Sequence, residues 1–172
     1  KVKLLGILAL HIGKRRYLSI NIDPVMSCNL RCKMCYFSDA ETAKKMRGKF
    51  NSDDLEAIAK SLFPRALRLQ IGCGAEPTVS QKLLQLVQLG KQYGVKHITI
   101  TTNGNLLTYE KLHKLVENGL TEITLSAHGF TKNTYESLMT NGKFDLFTAL
   151  IENLARIRTD FPDFRIRVNY TV

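Results

Sequence analysis

Three of the chain's four cysteines fall within one short run, Cys28-Asn29-Leu30-Arg31-Cys32-Lys33-Met34-Cys35. That spacing lets three thiolates converge in a single loop. Three thiolates leave one iron of a cubane iron–sulfur cluster without a protein ligand, as an iron that binds substrate or acts as a Lewis acid requires. A structural zinc normally closes with four ligands. Cys73 lies in another loop, and His11, His97 and His113 have no companion spacing. Spacing alone leaves zinc binding and free buried thiols open as alternatives. Arg31 and Lys33 would help hold thiolates deprotonated, and they read equally well as surface charge.

The elements that must position this loop alternate between strand and helix. Tyr17–Ile22 alternates apolar and polar residues and stops at Asp23-Pro24, which reads as a first strand. Asn51 caps a helix running to Leu62, with Asp53 and Asp54 in its first turn, and Pro64 ends it. Ala66–Ile71 is a second strand, broken by Gly72. Val79–Tyr93 carries a helical apolar stripe that Gly94 terminates. Val95–Thr101 is a third strand, Thr108 caps the next helix, and Leu120–Ser126 is a fourth strand. A long helix presents Phe144, Phe147, Leu150, Ile151, Leu154 and Ile157. Phe164–Thr171 is the fifth strand.

Such alternation predicts right-handed crossovers and a parallel sheet, either doubly wound or a barrel. In both, chemistry gathers at the carboxyl ends of the strands. The unusual residues sit there: Cys28 to Cys35 after the first strand, Gly72 to Pro77 after the second, Asn103 after the third, Ser126 and His128 after the fourth.

Composition bounds the rest. The chain of 172 residues is 44% apolar and 23% charged, which suits one domain with a hydrophobic core. It opens on Lys1 and closes on a strand-like segment, so a fragment of a longer protein is expected. Leu4–Ile12 is too short an apolar run to cross a bilayer. Lys14-Arg15-Arg16 stands where a secretion signal would place its cleavage site. Clustered cysteines without a disulfide framework point to a reducing cytoplasm and no membrane. The net charge of +10 raises a nucleic-acid reading. No aromatic residues interleave with the basic clusters Lys14–Arg16, Lys44–Lys49 and Arg156–Arg167 to stack bases, which leaves solvated surface as the plainer account.

At these residues the chain resembles the radical S-adenosylmethionine (SAM) superfamily, whose signature is Cys-x3-Cys-x2-Cys after the first barrel strand. Gly74-Ala75-Glu76-Pro77 is similar to the family's Gly-Gly-Glu-Pro, with Ala75 in place of the second glycine. Thr102-Asn103-Gly104, Ser126-Ala127-His128-Gly129, Asn141-Gly142-Lys143-Phe144 and Arg167-Val168-Asn169 resemble further landmarks in family order. The resemblance is nearest to the subgroup with a SPASM or twitch extension, whose members often modify peptides and proteins.

The resemblance implies a partial TIM barrel of (β/α)6 type, truncated after the fifth strand. Residues 1–16 would be a lead-in and 17–172 the core. It implies a [4Fe-4S] cluster on Cys28, Cys32 and Cys35, with SAM on the open iron and auxiliary clusters in a C-terminal region beyond Val172. Reductive cleavage of SAM would give a 5′-deoxyadenosyl radical that abstracts hydrogen from a substrate, a peptide or protein in the first place, with a small-molecule substrate as the wider class. A flavodoxin or ferredoxin would supply the electron. Gly74, Ala75, Glu76 and Pro77 would receive the methionyl amine. Met34 would lie near adenine, with Tyr36 assisting. Asn103, Ser126 and Asn169 are candidates for methionyl, ribose or adenine contacts. His128, where relatives carry an acid, is a candidate catalytic residue. Cys73 reads as a small buried filler, and Tyr135 and Met139 as packing. The alternatives are an RNA-modifying radical SAM enzyme and a non-catalytic metal-binding module.

Overall fold

The computed structural model describes residues 2–170. Its strands are β1 Leu18–Ile22, β2 Ala66–Ile71, β3 His97–Thr102, β4 Glu122–Ala127 and β5 Arg165–Tyr170. They form one sheet in the order β1-β2-β3-β4-β5, and every neighbouring pair is parallel. A doubly wound sheet reverses its strand order at a switch point. Here the order is strictly sequential, so each crossover advances in the same direction. The architecture is an open partial barrel of the α/β class.

The helices are α1 Val2–Ile12, α2 Ala40–Lys45, α3 Ser52–Leu62, α4 Leu83–Gln92, α5 Tyr109–Glu117, α6 Lys132–Leu138 and α7 Phe144–Asp160. A full capping box between Asn51 and Asp54 starts α3. Thr108 caps α5 by accepting from the Lys111 N–H at 3.3 Å. Helices α3, α4, α5 and α7 bury one face of the sheet. Leu69, Ile71, Ile98, Ile100, Ile123 and Leu125 are all buried there. Fully burying one such side chain stabilises the fold by roughly 1.5–3 kcal/mol. Gly90 of α4 lies so close to this face that a Cβ would stand 2.8 Å from Ile98 Cδ1.

The opposite face is polar. Its rows hold Gln70, Thr99, Thr101, Thr124 and Ser126, paired across the strands as Gln70 with Thr99 and Thr101 with Thr124. The Gln70 amide donates to Thr101 Oγ1 at 2.9 Å and accepts from Thr99 Oγ1 at 2.6 Å. Parallel strands covered on both faces read as continuous apolar runs. These strands alternate because helices cover one face only; on the other, Thr99 and Thr124 are buried among polar neighbours.

The expected elements are all present, with ends shifted by one or two residues except at α4. That helix begins at Leu83 rather than Val79, because Glu76 caps a 3-10 turn over Pro77–Val79 and Ser80 Oγ then holds the Lys82 N–H at 3.1 Å. Helices α1, α2 and α6 were not expected. The final expected strand residue, Thr171, lies outside the described residues, as does Lys1. No helix of the described residues is long and apolar enough to cross a membrane.

Several basic side chains have structural partners. Arg16 donates to the carbonyls of Phe63 and Ala66 at 2.8 and 2.9 Å, fastening the segment before β1 to the start of β2. Arg156 lies 4.0 Å over the Tyr109 ring. Arg165 and Arg167 both face the buried Glu122.

Candidate active site

The chain leaves β1 through Asp23-Pro24 and enters the cysteine loop. Leu30 anchors that loop with 1% of its surface exposed. Backbone bonds secure it from two sides. The Arg31 and Lys33 N–H groups donate to the carbonyls of Thr140 and Leu138 at the end of α6, both at 2.9 Å, and Glu76 N–H donates to Ser27 O at 3.0 Å. Arg31 donates to the carbonyls of Cys28 and Leu30 at 2.8 and 2.7 Å. Its charge is therefore spent on loop carbonyls.

All three loop cysteines line one cavity of about 240 Å³, together with Met34, Tyr36, Gly74, Ala75, Glu76, Asn103, Ser126 and His128. Residues from four strand ends thus converge on one place. A larger cleft of about 370 Å³ lies between α4 and α5, with none of the cysteines in its wall. Among the described residues no three His, Cys, Asp or Glu side chains are grouped tightly enough for a single metal ion. Burial pushes the Cys28 thiol up, and it raises Cys32 to about 11 with help from the neighbouring thiols. Arg31 pulls Cys28 the other way, and burial outweighs it.

The loop after β2 is built around two carboxylates. Glu76 is 3% exposed. Its Oε1 accepts from Thr78 N–H at 3.0 Å, Thr78 Oγ1 at 2.5 Å and Thr102 Oγ1 at 2.7 Å, while Oε2 accepts from Asn103 N–H at 2.8 Å. Its oxygens are thus committed to the loop and to the end of β3. Asp23, read from the sequence only as a strand stop, accepts from the N–H groups of Cys73, Gly74 and Ala75 at 2.9, 3.1 and 3.2 Å. Gly72 has φ +82°, and a Cβ there would lie 2.5 Å from Thr101 O, so only glycine makes this turn. At Gly74 a Cβ would stand 2.8 Å from Tyr36 Oη, the end of an exposed side chain that can swing aside, and the Tyr36 hydroxyl donates to Gly74 O. Ala75 takes the second position without entering the left-handed region.

Asn103 is buried and points its amide at the cysteine loop, donating to Asn29 Oδ1 at 2.9 Å with Cys28 Sγ at 3.9 Å. Ser126 lines the cavity from the end of β4. His128 is half-buried, and its Nδ1 is a buried polar atom without a hydrogen-bond partner among the described residues. Burial holds this imidazole below the ordinary histidine range. Met34 and Tyr36 line the opening, both substantially exposed.

Two expectations place differently. Asn169 pairs with Ser126 across β4 and β5 but is exposed and does not line the cavity. Edge strand β5 has no neighbour beyond it among the described residues, so its inward side chains stand open. Cys73 is exposed at the cavity wall, not a buried filler, because the Gly72 turn carries it past the end of the sheet. Met139, read as packing, is buried and also touches the cavity. Asp23, Asn29 and the Leu138–Thr140 carbonyls escaped the sequence reading.

The radical SAM superfamily family model matches residues 22–165. The chain is 31% identical over 146 residues to the 7,8-dihydro-6-hydroxymethylpterin dimethyltransferase of Methanocaldococcus jannaschii, covering 81% of this chain and 28% of that protein. It is 29% identical over 153 residues to a probable GTP 3′,8-cyclase of Saccharolobus solfataricus, covering 89% of this chain and 47% of that protein. The chain therefore spans less than half the length of these relatives. Its fold is similar to that of SuiB from Streptococcus suis bound to S-adenosylmethionine, with a TM-score of 0.70 at 22% identity, covering 95% of this chain and 36% of SuiB. The family match covers the cysteine loop and every strand-end motif of the cavity, and the chain belongs to the radical SAM superfamily.

Proposed function

We propose that this chain is the SAM-binding core of a radical SAM enzyme, with residues 17–172 as the core and 1–16 as a lead-in. Cys28, Cys32 and Cys35 hold a [4Fe-4S] cluster in this reading. The donor set fits: three sulfurs line one cavity. When bound, the cluster and SAM together supply reductive cleavage of a carbon–sulfur bond and a 5′-deoxyadenosyl radical that takes hydrogen from substrate.

The chain's own residues bind and orient. The loop from Gly74 to Pro77, held by Asp23 beneath and Glu76 within, presents its backbone toward the methionyl end of SAM. Glu76 acts as a positioning residue, because its oxygens already have partners. Met34 and Tyr36 cover the adenine side. Ser126 offers a hydroxyl to the ribose, and the unpartnered Nδ1 of His128 offers a neutral nitrogen to SAM or substrate. Asn103 holds the cysteine loop in place, and Asn169, beside Ser126, contacts the nucleoside once SAM is in place.

A peptide or protein substrate has a parallel in SuiB, described bound to its precursor peptide SuiA. A small heterocyclic substrate has parallels in the pterin and GTP enzymes, to which this chain is nearer in sequence. We give the small substrate precedence. An external electron donor and a cytoplasmic setting accompany this reading.

The convergence of the three cysteines with the Gly74–Pro77 loop and His128 on one cavity carries the proposal. The full-length protein, reconstituted without oxygen, should release 5′-deoxyadenosine from SAM and dithionite. A cluster-replete protein that releases none would be a structural metal-binding module.

A further inference from the structure

Helices α4 and α5 are bridged toward their C-terminal ends. Gln88 Nε2 donates to Asn118 Oδ1 at 2.9 Å, and Lys91 Nζ donates to Glu117 O at 3.0 Å. Toward their N-terminal ends lies the cleft of about 370 Å³, lined by Leu83 and Leu84 of α4 and by Lys111, Lys114 and Leu115 of α5. Its base is apolar, with Leu83, Leu107 and Leu115 all buried. The volume is that of a small-molecule site. The bridges between the helices stop it at one end, which suits a compact ligand better than a peptide running through.

The charge in the wall has one sign. Lys111 and Lys114, one turn apart on α5, are its charged side chains, and no carboxylate lines it. Neither lysine has an ion-pair partner among the described residues. Lys111 reaches only the Leu106 carbonyl, at 3.3 Å. Helix α4 opens in the same wall with no side-chain cap and no acid in its first turn, so its positive end adds to the two cations. Such a cleft suits a molecule with an apolar body and one carboxylate. The body covers the leucines, and the head sits between the ammonium groups.

The cleft also shares residues with the loops of the candidate active site. Thr78 lines it, and the same residue donates to Glu76 Oε1 through its N–H at 3.0 Å and its Oγ1 at 2.5 Å. Leu107 donates its N–H to Gly104 O at 3.1 Å, in the turn that follows Asn103. The loops after β2 and β3 therefore face the cysteine cavity on one side and this cleft on the other.

The geometry points to an effector site for a small apolar carboxylate in the α4–α5 cleft, with its occupancy transmitted to the Gly74–Pro77 loop through Thr78. The transmission rests on the proposed radical SAM reading; the binding does not.

The test is calorimetric titration of the full-length protein, reconstituted without oxygen, with sodium octanoate. Octanoate should bind, while octylamine, with the same tail and the opposite charge, should not. Lys114→Glu reverses one exposed charge and should weaken octanoate by about tenfold or more. Lys60→Glu on the exposed side of α3 should change nothing. SAM should bind about fivefold or more tightly with octanoate present, because a packed ligand holds the Thr78 turn that fixes Glu76. No octanoate binding, binding indifferent to Lys114→Glu, or octylamine bound as tightly would overturn the site. Tighter binding of the peptide acetyl-Glu-Leu-Leu-Glu-amide would make the cleft a protein-docking groove and overturn it too. Unchanged SAM affinity would overturn the transmission. Release of 5′-deoxyadenosine by the same wild-type sample reads the radical SAM proposal separately, so the two can fail independently.

Discussion

Asp23 and Gly74 are far apart in the chain, yet the Gly74 N–H lies 3.1 Å from one carboxylate oxygen of Asp23 and 3.3 Å from the other. The end of β1 thereby fixes the loop that follows β2. A carboxylate receiving several backbone N–H groups makes charge-assisted bonds, stronger than neutral ones.

Replacing Asp23 by Ala should therefore loosen the Gly74–Pro77 loop while leaving the cysteine loop in place. SAM affinity of the cluster-loaded protein should fall by about tenfold or more, with iron content unchanged. Equilibrium binding of SAM and an iron assay check this together. Unaltered affinity would remove Asp23 from the site.

Glu76→Gln puts an amide donor where the structure supplies only donors. Thr78, Thr102 and the Asn103 N–H all need an acceptor. The cost should be about 1–3 kcal/mol of stability, read by urea unfolding of the metal-free full-length protein. A neutral substitution would mean that these bonds contribute nothing net.

His128 gives a pH signature. Burial sets its folded pKa below the ordinary value of 6.5, so between those two values the unfolded chain binds more protons. Its stabilising contribution is complete above 6.5 and is lost as pH falls through the folded value. His128→Asn should flatten that part of the stability profile of the metal-free protein. Unfolding midpoints at pH 5 and pH 7.5 test it, and an unchanged slope would contradict the assignment.

Much of this arrangement was readable because it is local. The Asn51 capping box, the β-branched β3 and the cysteine spacing each lie within a few residues. The strict alternation in β4 and β5 also signals a polar face that no helix covers. Asp23 was not legible as a loop anchor, because its partners lie in another loop and are backbone groups without a residue signature. The same holds for the Leu138 and Thr140 carbonyls that secure the cysteine loop. Cys73 looked buried from its small neighbours, whereas Gly72 turns the chain out beyond the sheet.

Mössbauer spectroscopy of iron-labelled full-length protein, before and after adding SAM, tests the central claim most directly. The signal that vanishes in Cys28→Ala/Cys32→Ala/Cys35→Ala belongs to the core cluster. Within it a single iron should change environment on adding SAM, while the others keep thiolate parameters, and Cys73→Ala should show the same response. A core cluster with no SAM-responsive iron, or one lost with Cys73, would contradict the account.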